Sequence, residues 1–244
     1  MPSAADEDSA PLSRLAELPQ HAIEWRPAFR LVASRFPPIN LFERVADPAD
    51  WDALYALESL TNPRLRDQTG EISLVPVEDR VAGPGASVIM APFTHLHPDG
   101  SRFADAAHGA FYAAESLETA IAETRHHRQR FLSATHEPPT EIDLRAYLID
   151  VTARLHDLRG PALRSRFAAV YDPDDYSASQ SLARALRGRG ADGVCYESVR
   201  RGGGECVAVF KPRLLGNVRQ GAHLRYRWNG ARIDSVYELR QIEV

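Results

Sequence analysis

The sequence predicts an α+β fold, and three observations carry that reading. Short apolar runs and helical repeats follow one another irregularly, without the strict strand–helix alternation of a doubly wound parallel sheet. Two late segments, GVCYESVRRGGGECVAVFKP (193–212) and HLRYRWNGARIDSVYELRQIEV (223–244), each read as a pair of strands around a glycine-bearing turn. One clear helical pattern starts directly behind a strand, in GAFYAAESLETAIAETRHH (109–127).

Taken in order, residues 1–22 read as a loose tail, with PLSRLAEL as a short docking helix. AFRLV (28–32) is a short apolar run interrupted by Arg30. DPADWDALYALESL (47–60) has the marks of a helix: Asp47 as cap, Pro48 in the first turn, and Trp51, Leu54, Tyr55 and Leu57 on one face. ISLVPV (72–77) and ASVIMAPF (86–93) are expected strands. THLHPDGSRFADAAHG (94–109) reads as a loop, and YLIDVTARLHDL (147–158) as a strand. In DPDDYSASQSLARALRGRG (172–190), Ser177 and Gln180 fit an S-x-x-Q capping box at the start of a helix. Asn229-Gly230 is a type I′ turn signal for the last hairpin.

Composition narrows the function classes. The chain has 244 residues, 44% hydrophobic and 25% charged, which suits one large domain or two small ones. A net charge of −4 argues against a broad nucleic-acid footprint. No apolar run approaches a membrane span. The first twenty residues are acidic and lack the basic start and apolar centre of a signal peptide. Cys195 and Cys206 are too few for a disulfide framework or a zinc site, so a reducing, cytoplasmic setting is expected.

Several residues could carry chemistry. On the helix after Ser116, the apolar stripe is expected to be Leu117, Ala120, Ile121, Thr124 and Phe131. Glu123 projects roughly 100° from the middle of that stripe, onto the flank. There it either pairs with His127 in solvent or reaches into a cleft beside the core. Alternation puts Ala110, Tyr112 and Ala114 on one strand face, so Tyr112 is either a core tyrosine or a wall for a flat ligand. Ser177 fits an N-cap, and a helix N-terminus also suits a phosphate. Arg30 and Arg102 stand among apolar and aromatic neighbours, where an arginine either snorkels or presents its planar fork to a diphosphate. His95, His97, His126 and His127 lack metal-ligand spacing, so no metal is expected and the last two read as surface residues.

In this order, AFRLV with Arg30, GSRF with Arg102, FYAAESLETAIAET with Tyr112 and Glu123, YSASQSLARAL with Ser177, and GVCYESVRRGGGECVAVF, the chain resembles the RES domain family, named for an arginine, a glutamate and a serine. The resemblance runs from about Phe29 to Phe210. It makes 23–244 a single RES domain, with an inserted segment at about 40–92 and an added C-terminal hairpin. Two departures stand out: Leu31 where the family often has tyrosine, and Gly100-Ser101-Arg102-Phe103-Ala104 where it often has G-G-R-W-N.

The resemblance implies an ADP-ribosyltransferase-like core of antiparallel strands flanked by helices around an NAD cleft. It implies a toxin of a type II toxin–antitoxin pair, bound as a hetero-oligomer by an Xre-like helix-turn-helix antitoxin, with no direct contact to nucleic acid or membrane. NAD+ would be the substrate and no metal would be needed. Its nicotinamide–ribose bond would be cleaved and ADP-ribose transferred to a protein. The alternatives are glycohydrolysis or phosphorolysis that depletes NAD+, or a non-catalytic partner-binding module. In site terms the implied catalytic residues are Glu123, Tyr112 and Arg30. Arg30, Arg102, Phe103, Tyr112 and Ser177 would bind the dinucleotide, with Phe103 and Tyr112 stacking on nicotinamide.

Overall fold

The computed structural model describes residues 18–34, 70–240 and 242. The expected helix at 47–60 and nearly all of the expected N-terminal tail lie outside them.

Seven strands form one sheet in the order β1-β2-β5-β4-β3-β6-β7. They are β1 (Gln20–Ala33), β2 (Phe111–Ala114), β3 (Thr140–Asp157), β4 (Gly193–Glu197), β5 (Glu205–Val209), β6 (Leu215–Trp228) and β7 (Ile233–Leu239). β1 also pairs with β3, so β1, β2, β5, β4 and β3 close on themselves, while β6 and β7 extend the sheet beyond β3. The pairs are antiparallel except for a short parallel contact where His156 and Asp157 of β3 meet Val194 and Cys195 of β4. The helices are α1 (Ala86–Thr94), α2 (Leu117–Ala134), α3 (Pro161–Arg166) and α4 (Ser177–Arg187). No helix among the described residues is long and apolar enough to cross a membrane.

Alternation along the strands assigns side chains to two cores. Phe111 and Ala113 of β2, with Val207 and Val209 of β5 and Ile149, Val151 and Leu155 of β3, pack against Ile89, Met90 and Phe93 of α1. On the other face, Ala114, Cys206, Ala208, Val194 and Tyr196 meet Leu182, Ala183 and Leu186 of α4 and the segment around Phe103. Cys195 and Cys206 belong to different cores, so these adjacent-strand cysteines face opposite sides of the sheet and remain free thiols. α2 covers β6 and β7 through a third cluster, with Leu132, Leu144, Leu224, Tyr226, Trp228 and Ile233 fully buried or nearly so.

Several expectations are corrected. ASVIMAPF is helix, not strand: Ala86, Ile89, Met90 and Phe93 are all buried, the i, i+3, i+4, i+7 set of a helix face. Val88, Ala91 and Pro92 are also apolar and only Ser87 is polar, which hides the period. ISLVPV forms two 3-10 turns, Ile72–Leu74 and Val77–Asp79, separated around Pro76, which cannot donate to a strand ladder. The last hairpin forms, but its loop has four residues. Asn229 bonds Ala231 and Arg232 through its side-chain oxygen, and only Gly230 of the pair has positive φ, so no type I′ turn exists. On α2, Phe131 is 51% exposed and Leu132 takes its expected place in the core.

The end of β3 is tied by charge. Arg159 donates to both oxygens of Asp157 and reaches Glu205 at the start of β5. Burial alone would raise the Asp157 carboxyl, but the hydrogen bonds and charge of Arg159 hold it below the usual carboxylate value. Arg159→Ala leaves Asp157 buried with His21 as its remaining side-chain partner. The expected cost is about 3–5 kcal/mol, read as a lower urea midpoint.

Candidate functional site

A cleft of about 370 Å³ opens between β1, β2, α2 and the start of α4. Its wall combines Arg30, Tyr112, Glu123 and Arg102 with Tyr176, Tyr196, Thr124 and His127. Thus Arg30, Tyr112, Glu123 and Arg102, separated by up to 93 positions in the chain, come together.

Glu123 is placed by the joint between β2 and α2. Ser116 caps α2 by accepting from the Thr119 N–H, and the Glu115 N–H donates to the Glu205 carbonyl, which fixes the joint to β5. Two turns on, Glu123 faces the cleft from the flank of the helix. Its Oε1 accepts a 2.6 Å hydrogen bond from Ser198 Oγ. Ser198 is buried and is itself held by the backbone N–H groups of Arg200 and Arg201, both 3.0 Å away. Among the described residues nothing donates to Oε2, which leaves that oxygen for a ligand.

Arg30 reaches across from β1. Nη1 donates to the Tyr112 carbonyl at 3.0 Å, and the guanidinium lies 4.6 Å from the centre of the Phe111 ring. Nε is buried and has no partner among the described residues. Burial lowers the pKa to about 10, so Arg30 still carries its charge near neutrality. A half-buried guanidinium on a cleft wall is suited to an anionic ligand. Tyr112 lines the cleft, and its hydroxyl is pinned by Ser101 Oγ at 2.8 Å and the Phe103 N–H at 2.7 Å. Burial raises its pKa, so it stays a neutral phenol.

Other expected residues lie elsewhere or are already engaged. Phe103 is fully buried, packs edge-on against Tyr196 and does not line the cleft; it is a core residue, so it cannot stack on a ligand. Ser177 is exposed and outside the cleft wall. The residue preceding α4 is Tyr176 and makes no side-chain cap, while Gln180 bonds the carbonyls of Asp99 and Ser101, so the capping box does not form. Arg102 lines the cleft but is 7% exposed, and its Nη1 donates to the carbonyls of Val170 and Asp172.

The chain pattern missed two cleft features. Ser198 stands in the S-x-R-x-G-G stretch before the glycine turn, and only the fold brings it behind Glu123. Tyr176 precedes the expected cap. His127 is exposed, as expected of a surface residue, and also lines the cleft one turn beyond Glu123. Desolvation first, then His126 and the cations of Arg200, Arg102 and Arg130, lower its pKa.

A carboxylate oriented by a buried hydroxyl shares this cleft wall with a half-buried arginine, a set of groups suited to a ligand with both anionic and hydroxyl groups. The RES domain family profile matches residues 78–229, and the chain belongs to this family. It is 35% identical to the uncharacterized protein y4oC of Sinorhizobium fredii (strain NBRC 101917 / NGR234) over 211 residues, 86% of each chain. Among solved structures, it is similar to a chain of the M. tuberculosis MbcT-MbcA toxin-antitoxin complex, at 17% identity and a TM-score of 0.49. That similarity covers 91% of this chain and 93% of the other.

One outcome is expected. Ser198→Ala strands Glu123 Oε1 and two loop N–H groups, so it should cost about 1–3 kcal/mol in denaturant unfolding.

Proposed function

We propose that this protein consumes NAD+, cleaving the nicotinamide–ribose bond and transferring ADP-ribose to a protein, as the toxin of a toxin–antitoxin pair. RES membership and the cleft support the reading. The observation that carries it is the Glu123 carboxylate, held through one oxygen by buried Ser198 and left open through the other, in the same cleft as the Arg30 guanidinium.

Cationic nicotinamide leaves as a neutral molecule and takes the bonding electron pair with it, so little acid catalysis is needed. Positive charge develops on the ribose, and a fixed carboxylate aimed at it is worth most in the transition state. Glu123 Oε2 accepts from the ribose 2′-hydroxyl and faces the developing cation. Arg30 grips the diphosphate through the donors left beyond its Tyr112 anchor. Tyr112 forms the wall under nicotinamide between small neighbours. Ser198 takes the part expected of Ser177, but as a positioning residue acting through Glu123. An acceptor side chain then attacks C1′ and gives up its proton. The partner in this reading is an Xre-like antitoxin that holds the toxin inactive.

Glu123→Gln keeps the shape and removes the charge. Release of nicotinamide from NAD+ should fall by about 100-fold or more with the melting temperature preserved. Near-wild-type turnover by that variant would sink the assignment. Labelled NAD+ mixed with cell lysate, followed as free nicotinamide and as labelled protein bands, separates transfer from hydrolysis or phosphorolysis.

A further inference from the structure

Tyr176 stands apart from the other tyrosines of the cleft. Tyr196 is 5% exposed and locked against Phe103, and the Tyr112 hydroxyl is tied to Ser101 and the Phe103 N–H. Tyr176 is half-buried and lies immediately before α4, on the cleft wall. The Arg102 guanidinium covers its ring at 4.8 Å from the centroid. Arg102 cannot swing away freely, because Nη1 is held at 2.8 Å by both the Val170 and Asp172 carbonyls. The ring is thus a preorganised platform backed by a fixed cation.

That backing selects the ring that stacks on it. The face of an aromatic ring attracts positive charge, but here one cation already occupies the ring. A second cation would feel repulsion from Arg102, whereas a neutral purine would not. NAD+ carries one of each: a neutral adenine and a cationic pyridinium. The pyridinium is matched instead to the part of the cleft beside Glu123, whose charge is opposite.

Building on the NAD+ reading, we propose that Tyr176, backed by Arg102, is the stacking platform for the adenine base. The dinucleotide then lies with adenine at the start of α4 and nicotinamide ribose at α2.

The test compares ADP-ribose, which keeps adenine and lacks nicotinamide, with NAD+. Tyr176→Ala should weaken ADP-ribose binding by calorimetry and raise KM for NAD+, each by about 10–100-fold, the range of base–aromatic stacking. kcat should stay within about threefold, and Tyr176→Phe should restore both affinities. Tyr176→Leu, which keeps apolar bulk, should behave like the alanine variant and guards against a folding defect. If ADP-ribose affinity is unchanged while KM for NAD+ rises, the ring serves nicotinamide and the proposal fails. If neither changes, the platform fails while the NAD+ reading stands. A wild-type protein that binds neither ligand would overturn the NAD+ reading and the platform with it.

Discussion

The cleft depends on one close approach, that of the β4–β5 turn to the first turn of α2. Gly204 closes that turn, and a Cβ there would lie 2.6 Å from Thr119 Oγ1, inside any tolerable contact. With no side chain at Gly204, the turn settles against the helix, and Arg201 adds a hydrogen bond to the same threonine. Ser198 starts this turn and Gly204 ends it, joined by the Ser198 N–H to the Gly204 carbonyl. The turn therefore delivers the hydroxyl to Glu123 as a rigid piece. Pushing it outward by a single methyl group would be felt at the carboxylate before it was felt in the sheet.

A second constraint is the closure of the sheet. β1 runs along nearly the whole of β3 and touches β2 only where Phe29 meets Ala114. The long pairing fixes Arg30, and the short contact with β2 leaves a mouth beside it. The two arginines of the cleft wall are anchored to backbone carbonyls: Arg30 to Tyr112, and Arg102 to Val170 and Asp172. Such bonds fix the position of a positive charge without neutralising it. A cleft framed this way is suited to an anionic ligand, because its arginines are positioned by backbone carbonyls and not by ion pairs.

Much of the fold was legible in the chain. Both late hairpins, the β2–α2 joint with its Ser116 cap, and the strand through 147–157 follow from periodicity and turn chemistry. The failures have physical causes. In ASVIMAPF every residue but Ser87 is apolar, so no period could be read. Phe131 and Leu132 are adjacent, and the helix phase that buries one exposes the other; packing against Trp228 and Ile233 chose Leu132. Phe103 looked like a free aromatic beside Arg102, but nothing local says that Tyr196 covers it.

By itself the sequence determined the α+β class, the placement of Glu123 on the flank of its helix, and the shared strand face of Tyr112 and its small neighbours. These are local properties, fixed by 3.6-residue and two-residue periods. Only the tertiary structure decided which serine stands behind Glu123, that Ser198 and not Ser177 holds the carboxylate, and that Tyr176 rather than Phe103 offers an open ring. Those choices depend on contacts between segments far apart in the chain, such as Ser198 with Glu123 and Tyr176 with Arg102, and no repeat in the chain records where such segments will meet.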